Sequence, residues 1–416
     1  MVNKILTVYD YGDYTTLLLD LVKHFKEVRY YCLHEGSYPR SNVAQVGKGI
    51  EGVIWLNDFD SSIHDTDIFF FPGNNAGSKQ VFLRSIGKNV FGSGKGDELE
   101  NYRYESNKLL GDYGLPNVEM DRVYGMDALR EYLKKNDKIW VKTNFRGDYE
   151  TFYSKNYDFI EPKLDKLEYK LGMLKRDYEF ICCKPIDGDD VVESGVDLPN
   201  IDGQYPEYIM QGLEIKDLGY LAAIKAIKEM SPLLTDDLVK LSPVFKEYEY
   251  RNFFSSEKRI KNGVATLTDF TCRCGSPPSE LFFSMIENLG EVIDMGSQGI
   301  LVEPIYKTMY GMQAIITSDW AEKDVQPIMF PDEIKDFVKI KNLFVQDGKY
   351  YYLPINDVEM SQIGSVIAYE DSLDKCFKSL KEYCEQVSGI GIKCNVDSMD
   401  KAMEEMDKCK KIGIKF

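Results

Sequence analysis

The chain is 416 residues long, room for roughly two to four domains with cores of their own. Hydrophobic residues make up 44% and charged ones 29%, the balance of a globular protein rather than a disordered one. Its 51 basic and 68 acidic residues give a formal charge of −17, which repels a phosphate backbone and speaks against duplex nucleic acid as a partner.

The first ninety residues alternate strand and helix. Lys4 to Tyr9 reads as a strand, and Thr15 to Phe25 as a helix with an apolar stripe at Leu18, Leu21, Val22 and Phe25. Val28 to Leu33 and Asp67 to Phe71 are further strands, the second ending in the turn cluster Pro72 to Gly77. A helix over Ser78 to Ile86 and a short strand over Asn89 to Phe91 follow. This order predicts a doubly wound parallel sheet over residues 1–100. Helices are expected over Tyr104 to Tyr113 and Met126 to Lys134, then a strand over Lys138 to Lys142 and a Gly-containing loop over Thr143 to Tyr149. Residues 151–206 are mixed in pattern, and Pro206 to Glu214 reads as a strand running into a turn at Gly212. The clearest pair of strands is Phe253 to Ile260 and Val264 to Cys272, joined through Asn262-Gly263, a strong hairpin signal. From about Pro331 the tail carries a strand over Lys349 to Pro354 and helices over Leu373 to Val387 and Met399 to Cys409, a small α+β unit.

Several familiar signals fail. Gly92-Ser93-Gly94-Lys95-Gly96 lacks the G-x-x-x-x-G-K-[ST] spacing of a phosphate loop and reads as a turn. Cys272-x-Cys274 and Cys182-Cys183 do not have the spacing of a zinc ribbon. His24, His34 and His64 have no nucleophile spaced around them, so a Ser/His or Cys/His hydrolase is unsupported. Nine cysteines without a disulfide framework, no signal-peptide layout at the N-terminus and no apolar run near the roughly 18 residues of a membrane span predict a cytoplasmic protein with reduced thiols and no membrane partner.

Four dispersed features share one chemical logic. Glu257, Asp269 and Thr271 on the hairpin supply oxygen ligands of the kind a hard cation prefers, provided the register puts them on one face. A two-residue turn pairs Glu257 with Thr268 and sends Asp269 to the other face. A three-residue loop over Lys261 to Gly263 pairs Glu257 with Leu267 and gathers Glu257, Asp269, Thr271 and Arg273 on one side; this register is the one expected. Glu207 to Glu214 offers backbone groups at Tyr208 to Met210 for an adenine edge and Glu214 for a ribose diol. Lys108 and Lys142 are candidate phosphate ligands, since an ammonium suits a diffuse anion. The loop Asn144 to Glu150, with Arg146, is a candidate phosphate lid.

Together these residues resemble the ATP-grasp superfamily, and within it phosphoribosylamine–glycine ligase and its relatives. Val90-Phe91-Gly92 followed by Glu105-Ser106-Asn107-Lys108 is similar to the family's domain junction and first nucleotide lysine, and Trp140-Val141-Lys142 to the second. Glu207 to Glu214 fits the hinge pattern E-x-x-x-x-G-x-E, and Asp269-Phe270-Thr271-Cys272-Arg273-Cys274-Gly275-Ser276-Pro277 lines up with E-F-N-x-R-F-G-D-P. The resemblance implies ATP and Mg²⁺ or Mn²⁺, with metal on Glu257, Asp269 and Thr271. It also implies nucleotide on Lys108, Lys142, Arg146, Glu207, Tyr208, Met210 and Glu214, and an acyl phosphate stabilised by Arg273, with Lys142 also catalytic. The implied fold is α/β (α+β): an N-terminal doubly wound domain over 1–100, an ATP-grasp domain over 101–330 with its lid roughly over 115–210, and a small C-terminal α+β domain over 331–416. Asp269 for Glu, Thr271 for Asn, Arg146 for Lys in a shortened glycine loop, and Tyr9 to Thr15 in place of the family's Gly-rich N-terminal motif are departures. The implied activity is that of a carboxylate–amine ligase on small molecules, working as a monomer or homodimer. A ligase acting on a nucleotide or macromolecule, and a degenerate nucleotide-binding protein, are the alternatives.

Overall fold

The computed structural model describes residues 1–33, 44–74, 76–143, 151–188, 190–215, 218–354, 361–396 and 398–416. Strand Val2–Asp10 is buried on both faces over its second half, as the middle of a parallel sheet demands. The sheet runs Val53–Trp55, Phe25–Cys32, Val2–Asp10, Ile68–Phe70, Asn89–Phe91, all parallel. Strand order reverses between Val2–Asp10 and Ile68–Phe70, and crevices outside the carboxyl ends of strands form at such switch points. The helix expected from Thr15 to Phe25 stops at Leu21, because Phe25 opens the next strand and pairs with Val2. Edge strand Val53–Trp55 escaped the pattern analysis, being only three residues long.

A second, antiparallel sheet has the order Met120–Tyr124, Glu179–Cys183, Ile139–Thr143, Phe152–Ser154. Helices Met126–Lys135 and Tyr157–Leu171 bury Leu129, Leu133 and Leu164 against Val123, Val141 and Phe180, a core separate from the main one. The sheet ends at Cys183, so strand Val192–Ile201, inside the range expected for a lid, belongs elsewhere.

That strand joins a nine-stranded antiparallel sheet. The path is Val264–Thr271, Arg251–Lys261, Val192–Ile201, Tyr208–Ile215, Gly219–Ala226, Tyr310–Ser318, Gln362–Glu370, Val338–Ile340, and Ile392–Cys394 also pairs with Tyr310–Ser318. Three of these strands come from the tail, whose buried side chains share one continuous core with the rest of the sheet. No described helix is long and apolar enough to cross a membrane.

The hairpin corrects the expected register. Lys261 pairs with Val264, and Asn262 and Gly263 have φ of 51° and 75°, so the turn has two residues, both left-handed. The ladder then slips by one: Lys258 faces Leu267, but Glu257 faces Asp269 and Ser255 faces Thr271, leaving Thr268 as a β-bulge. The reason lies in the apolar pattern. Leu267 and Phe270 are both buried, and their odd spacing cannot serve one face of a regular strand. The bulge reconciles them, and carries Asp269 back to the position opposite Glu257.

Candidate active site

Gly195 sits between Glu257 and Gly212 in a row across three strands of the large sheet. Both glycines are demanded by their surroundings. A Cβ on Gly212 would collide with the Tyr220 hydroxyl, and one on Gly195 with the Ser256 carbonyl. The row floors a cavity of about 220 Å³, walled by Glu214, Glu257, Ser255, Thr271, Arg103 and Arg273 and closed by the turn Gly275 to Pro278. Tyr220 crosses Gly212 to donate its hydroxyl to Asp197, whose carboxyl burial raises to about 6 against the pull of bonds from Ser255 and Tyr220.

A second cavity, about 240 Å³, opens between the large and small sheets and shares Arg103, Glu214 and Glu257 with the first. Val118, Met120, Trp140, Cys183 and Ile186 give it an apolar end, and Lys142, Lys184 and Arg259 line it as well. Arg259 donates to the Ile186 carbonyl at 3.2 Å and to Glu193 at 3.2 Å, and Arg103 donates to the Thr143 carbonyl at 3.1 Å. The two cavities thus make one trough, apolar at one end and charged at the other.

Arg273 stands at the charged end. Its Nε donates to Glu100 at 2.9 Å, and its Nη1 donates to the Tyr14 hydroxyl at 2.9 Å and the Cys274 carbonyl at 3.2 Å. Burial works against the guanidinium charge, but the Tyr14 contact and nearby acids leave its pKa above the usual arginine value.

Of the residues singled out in the sequence, Glu214, Glu257, Thr271 and Arg273 line the first cavity, and Lys142, Glu214 and Glu257 the second. Asp269 holds the register position opposite Glu257; its side chain and all of Arg146 lie outside what is described. Glu207, Tyr208 and Met210 line neither cavity. The run expected to wrap an adenine is an unbroken strand over Tyr208–Ile215, which at ~3.3 Å per residue holds Tyr208 and Glu214 roughly 20 Å apart. Glu207 is paired with Lys228 at 2.8 Å, Tyr208 is exposed, and Met210 is in the core. Gly212, taken as a turn, sits in that strand to clear Tyr220. Lys108 is exposed on helix Arg103–Asp112, whose first residue, Arg103, reaches the trough instead.

Arg103, Tyr220, Arg259 and the segment Cys183 to Ile186 also line the trough, unannounced by any expectation from the sequence. A signal for the last was present: an apolar strand breaking at Lys184-Pro185-Ile186-Asp187-Gly188. All nine cysteines are free thiols, and among the described side chains no group of three or more His, Cys, Asp or Glu converges as a metal site.

No family model and no curated relative matches the chain. Solved structures do. Phosphoribosylamine–glycine ligase from Thermotoga maritima superposes with a TM-score of 0.71 at 15% identity, over 94% of this chain and 98% of that one. The biotin carboxylase domain dimer of Hydrogenobacter thermophilus 2-oxoglutarate carboxylase, in complex with MgADP, ADP and bicarbonate, gives 0.66 at 11% identity, over 100% and 96%. N5-carboxyaminoimidazole ribonucleotide synthetase from Thermotoga maritima gives 0.61 at 11% identity, over 93% and 99%. The parallel N-terminal sheet, the small antiparallel sheet and the large one are thus parts of a known arrangement, and the chain has the ATP-grasp fold.

Proposed function

We propose that the chain is a cytoplasmic ATP-dependent carboxylate–amine ligase acting on small molecules, with ATP held in the trough between the small and large sheets. The observation that carries this reading is the convergence of Glu214, Glu257, Thr271, Arg103, Arg273 and Lys142, from six separate elements or turns, on two cavities that share residues. The donor set fits a nucleotide triphosphate and its cation. A base has an apolar slot at Val118, Met120, Trp140 and Ile186, and Glu214, common to both cavities, is the partner for a ribose diol. Cations at Arg103, Lys142 and Arg273 suit phosphate oxygens, and the glycine floor leaves room for them.

Glu257 and Thr271, with Asp269 at its register position, would hold Mg²⁺ or Mn²⁺, which on binding neutralises phosphate charge. The chain's own residues do the rest. Lys142 and Arg103 hold phosphate oxygens, and Arg273 faces the charge that develops as a substrate carboxylate oxygen attacks the γ-phosphorus and ADP leaves. An amine then attacks the carbonyl of the acyl phosphate, loses a proton, and phosphate departs with the C–O bonding pair. The small sheet, closing over the trough, keeps water from hydrolysing the acyl phosphate.

Two measurements test the reading. MgADP at about 100 times its Kd should stabilise the fold by ~2.7 kcal/mol. ADP release against a panel of carboxylic acids and amines should then identify a pair that turns over. Absence of both nucleotide stabilisation and turnover rejects the proposal.

A further inference from the structure

A guanidinium is a rigid planar fork with five N–H groups, so fixing two of its nitrogens fixes the third. On Arg273 three of the five hydrogens are spent on the protein, through Nε to Glu100 and through Nη1 to Tyr14 and the Cys274 carbonyl. Nη2 makes no hydrogen bond among the described residues, and Arg273 lines the cavity that also holds Glu257 and Thr271. The two partners are also tied to the residues on either side of Arg273. The second carboxylate oxygen of Glu100 accepts the Cys272 N–H at 2.9 Å, and the Tyr14 hydroxyl donates to the Cys274 carbonyl at 2.6 Å. Glu100 is almost wholly buried in helix Asp97–Asn101, and Tyr14 follows the central strand of the parallel sheet, its N–H donating to Asp10 at 3.0 Å.

From this geometry we propose that Glu100 and Tyr14 are positioning residues that clamp Arg273 from the side and the rear, leaving the Nη2 edge to meet an anionic oxygen of the reacting phosphoryl group. The anion's identity rests on the ligase reading; the clamp is a property of these three side chains. A tie between segments would use any of the five hydrogens. Here the nitrogen left over, Nη2, belongs to a side chain that lines the trough. The arrangement also couples the parallel sheet to the phosphate end of the trough, since displacing Tyr14 removes one of the two acceptors that hold Nη1.

The test separates nucleotide binding from recognition of the transferring group. MgADP affinity of the full-length protein is measured by calorimetry, alone and with aluminium fluoride, whose complex with ADP mimics the phosphoryl group in flight. Fluoroaluminate should tighten MgADP in the wild type by about 100-fold or more. Tyr14→Phe and Glu100→Gln should keep MgADP affinity within about twofold of wild type and lose at least about tenfold of the tightening. A purely structural role would move both affinities together or neither. Tightening equal to wild type in Tyr14→Phe overturns the clamp while leaving the nucleotide site standing. No MgADP binding in the wild type overturns the ligase reading and the clamp with it. Should Glu100→Gln fail to fold, Tyr14→Phe, which leaves the Glu100–Arg273 pair in place, carries the test alone.

Discussion

Glu257 faces Asp269 across the hairpin even though the two-residue turn joining their strands would, in a regular ladder, put Thr268 there. Thr268 is the residue that makes the difference, and the odd spacing of the buried Leu267 and Phe270 is the force that extrudes it.

That register is checked by cross-linking. Directly opposite residues of an antiparallel pair lie about 4.5–5.5 Å apart at Cα, within disulfide range. Glu257→Cys/Asp269→Cys should oxidise to a disulfide under mild conditions, read as a two-hydrogen loss in the mass of the linking peptide. Ser255→Cys/Phe270→Cys should not, because Phe270 faces Ser256; a bond there instead means the ladder is regular.

Behind the same strand, Lys258 is buried and its ammonium lies 2.9 Å from Asp237, also buried, and donates to the Leu234 carbonyl at 2.8 Å. Asp237→Asn leaves that ammonium without a counter-charge and should cost about 3–5 kcal/mol in denaturant unfolding. Replacing both, as Asp237→Leu/Lys258→Met, should recover most of the loss. A single variant as stable as wild type would mean the pair is solvated in solution.

Asp10 ends the central parallel strand, where burial lifts its carboxyl from 3.8 to about 7 against bonds from Tyr30, Tyr11 and Gly12. The folded protein therefore holds this proton more tightly than the unfolded chain. Its contribution to stability is complete below pH 3.8 and is lost as pH rises through about 7. The unfolding free energy of Asp10→Asn should lack this limb, so that its difference from wild type changes by up to ~4 kcal/mol across that window. Parallel pH profiles for the two proteins would place the Asp10 proton elsewhere.

Local pattern was legible wherever local forces decide. Met126–Lys135 and Asn89–Phe91 follow from apolar spacing, and Asn262-Gly263 marks the hairpin, although the turn has two residues and not the three expected. The bulge was not read from the sequence: the parity of Leu267 and Phe270 points to it only once both are known to be buried. The spacing of Glu207 and Glu214 carries no shape: Tyr208–Ile215 is a straight strand that brings Glu214 to the trough and leaves Tyr208 and Met210 off it. Arg103 was beyond reach of spacing arguments. It lines the trough from the first turn of a helix, and its hydrogen bond to the Thr143 carbonyl, 3.1 Å long and far off in the chain, ties it there.

The central claim is that one nucleotide and its cation occupy the trough between the small and large sheets. A crystal structure of the MgADP complex tests it most directly. The base should lie against Met120, Trp140 and Ile186, the phosphates within reach of Arg103 and Lys142, and the cation on Glu257 and Asp269. ADP seated at Tyr208 to Met210, or a cation that touches neither carboxylate, would contradict it.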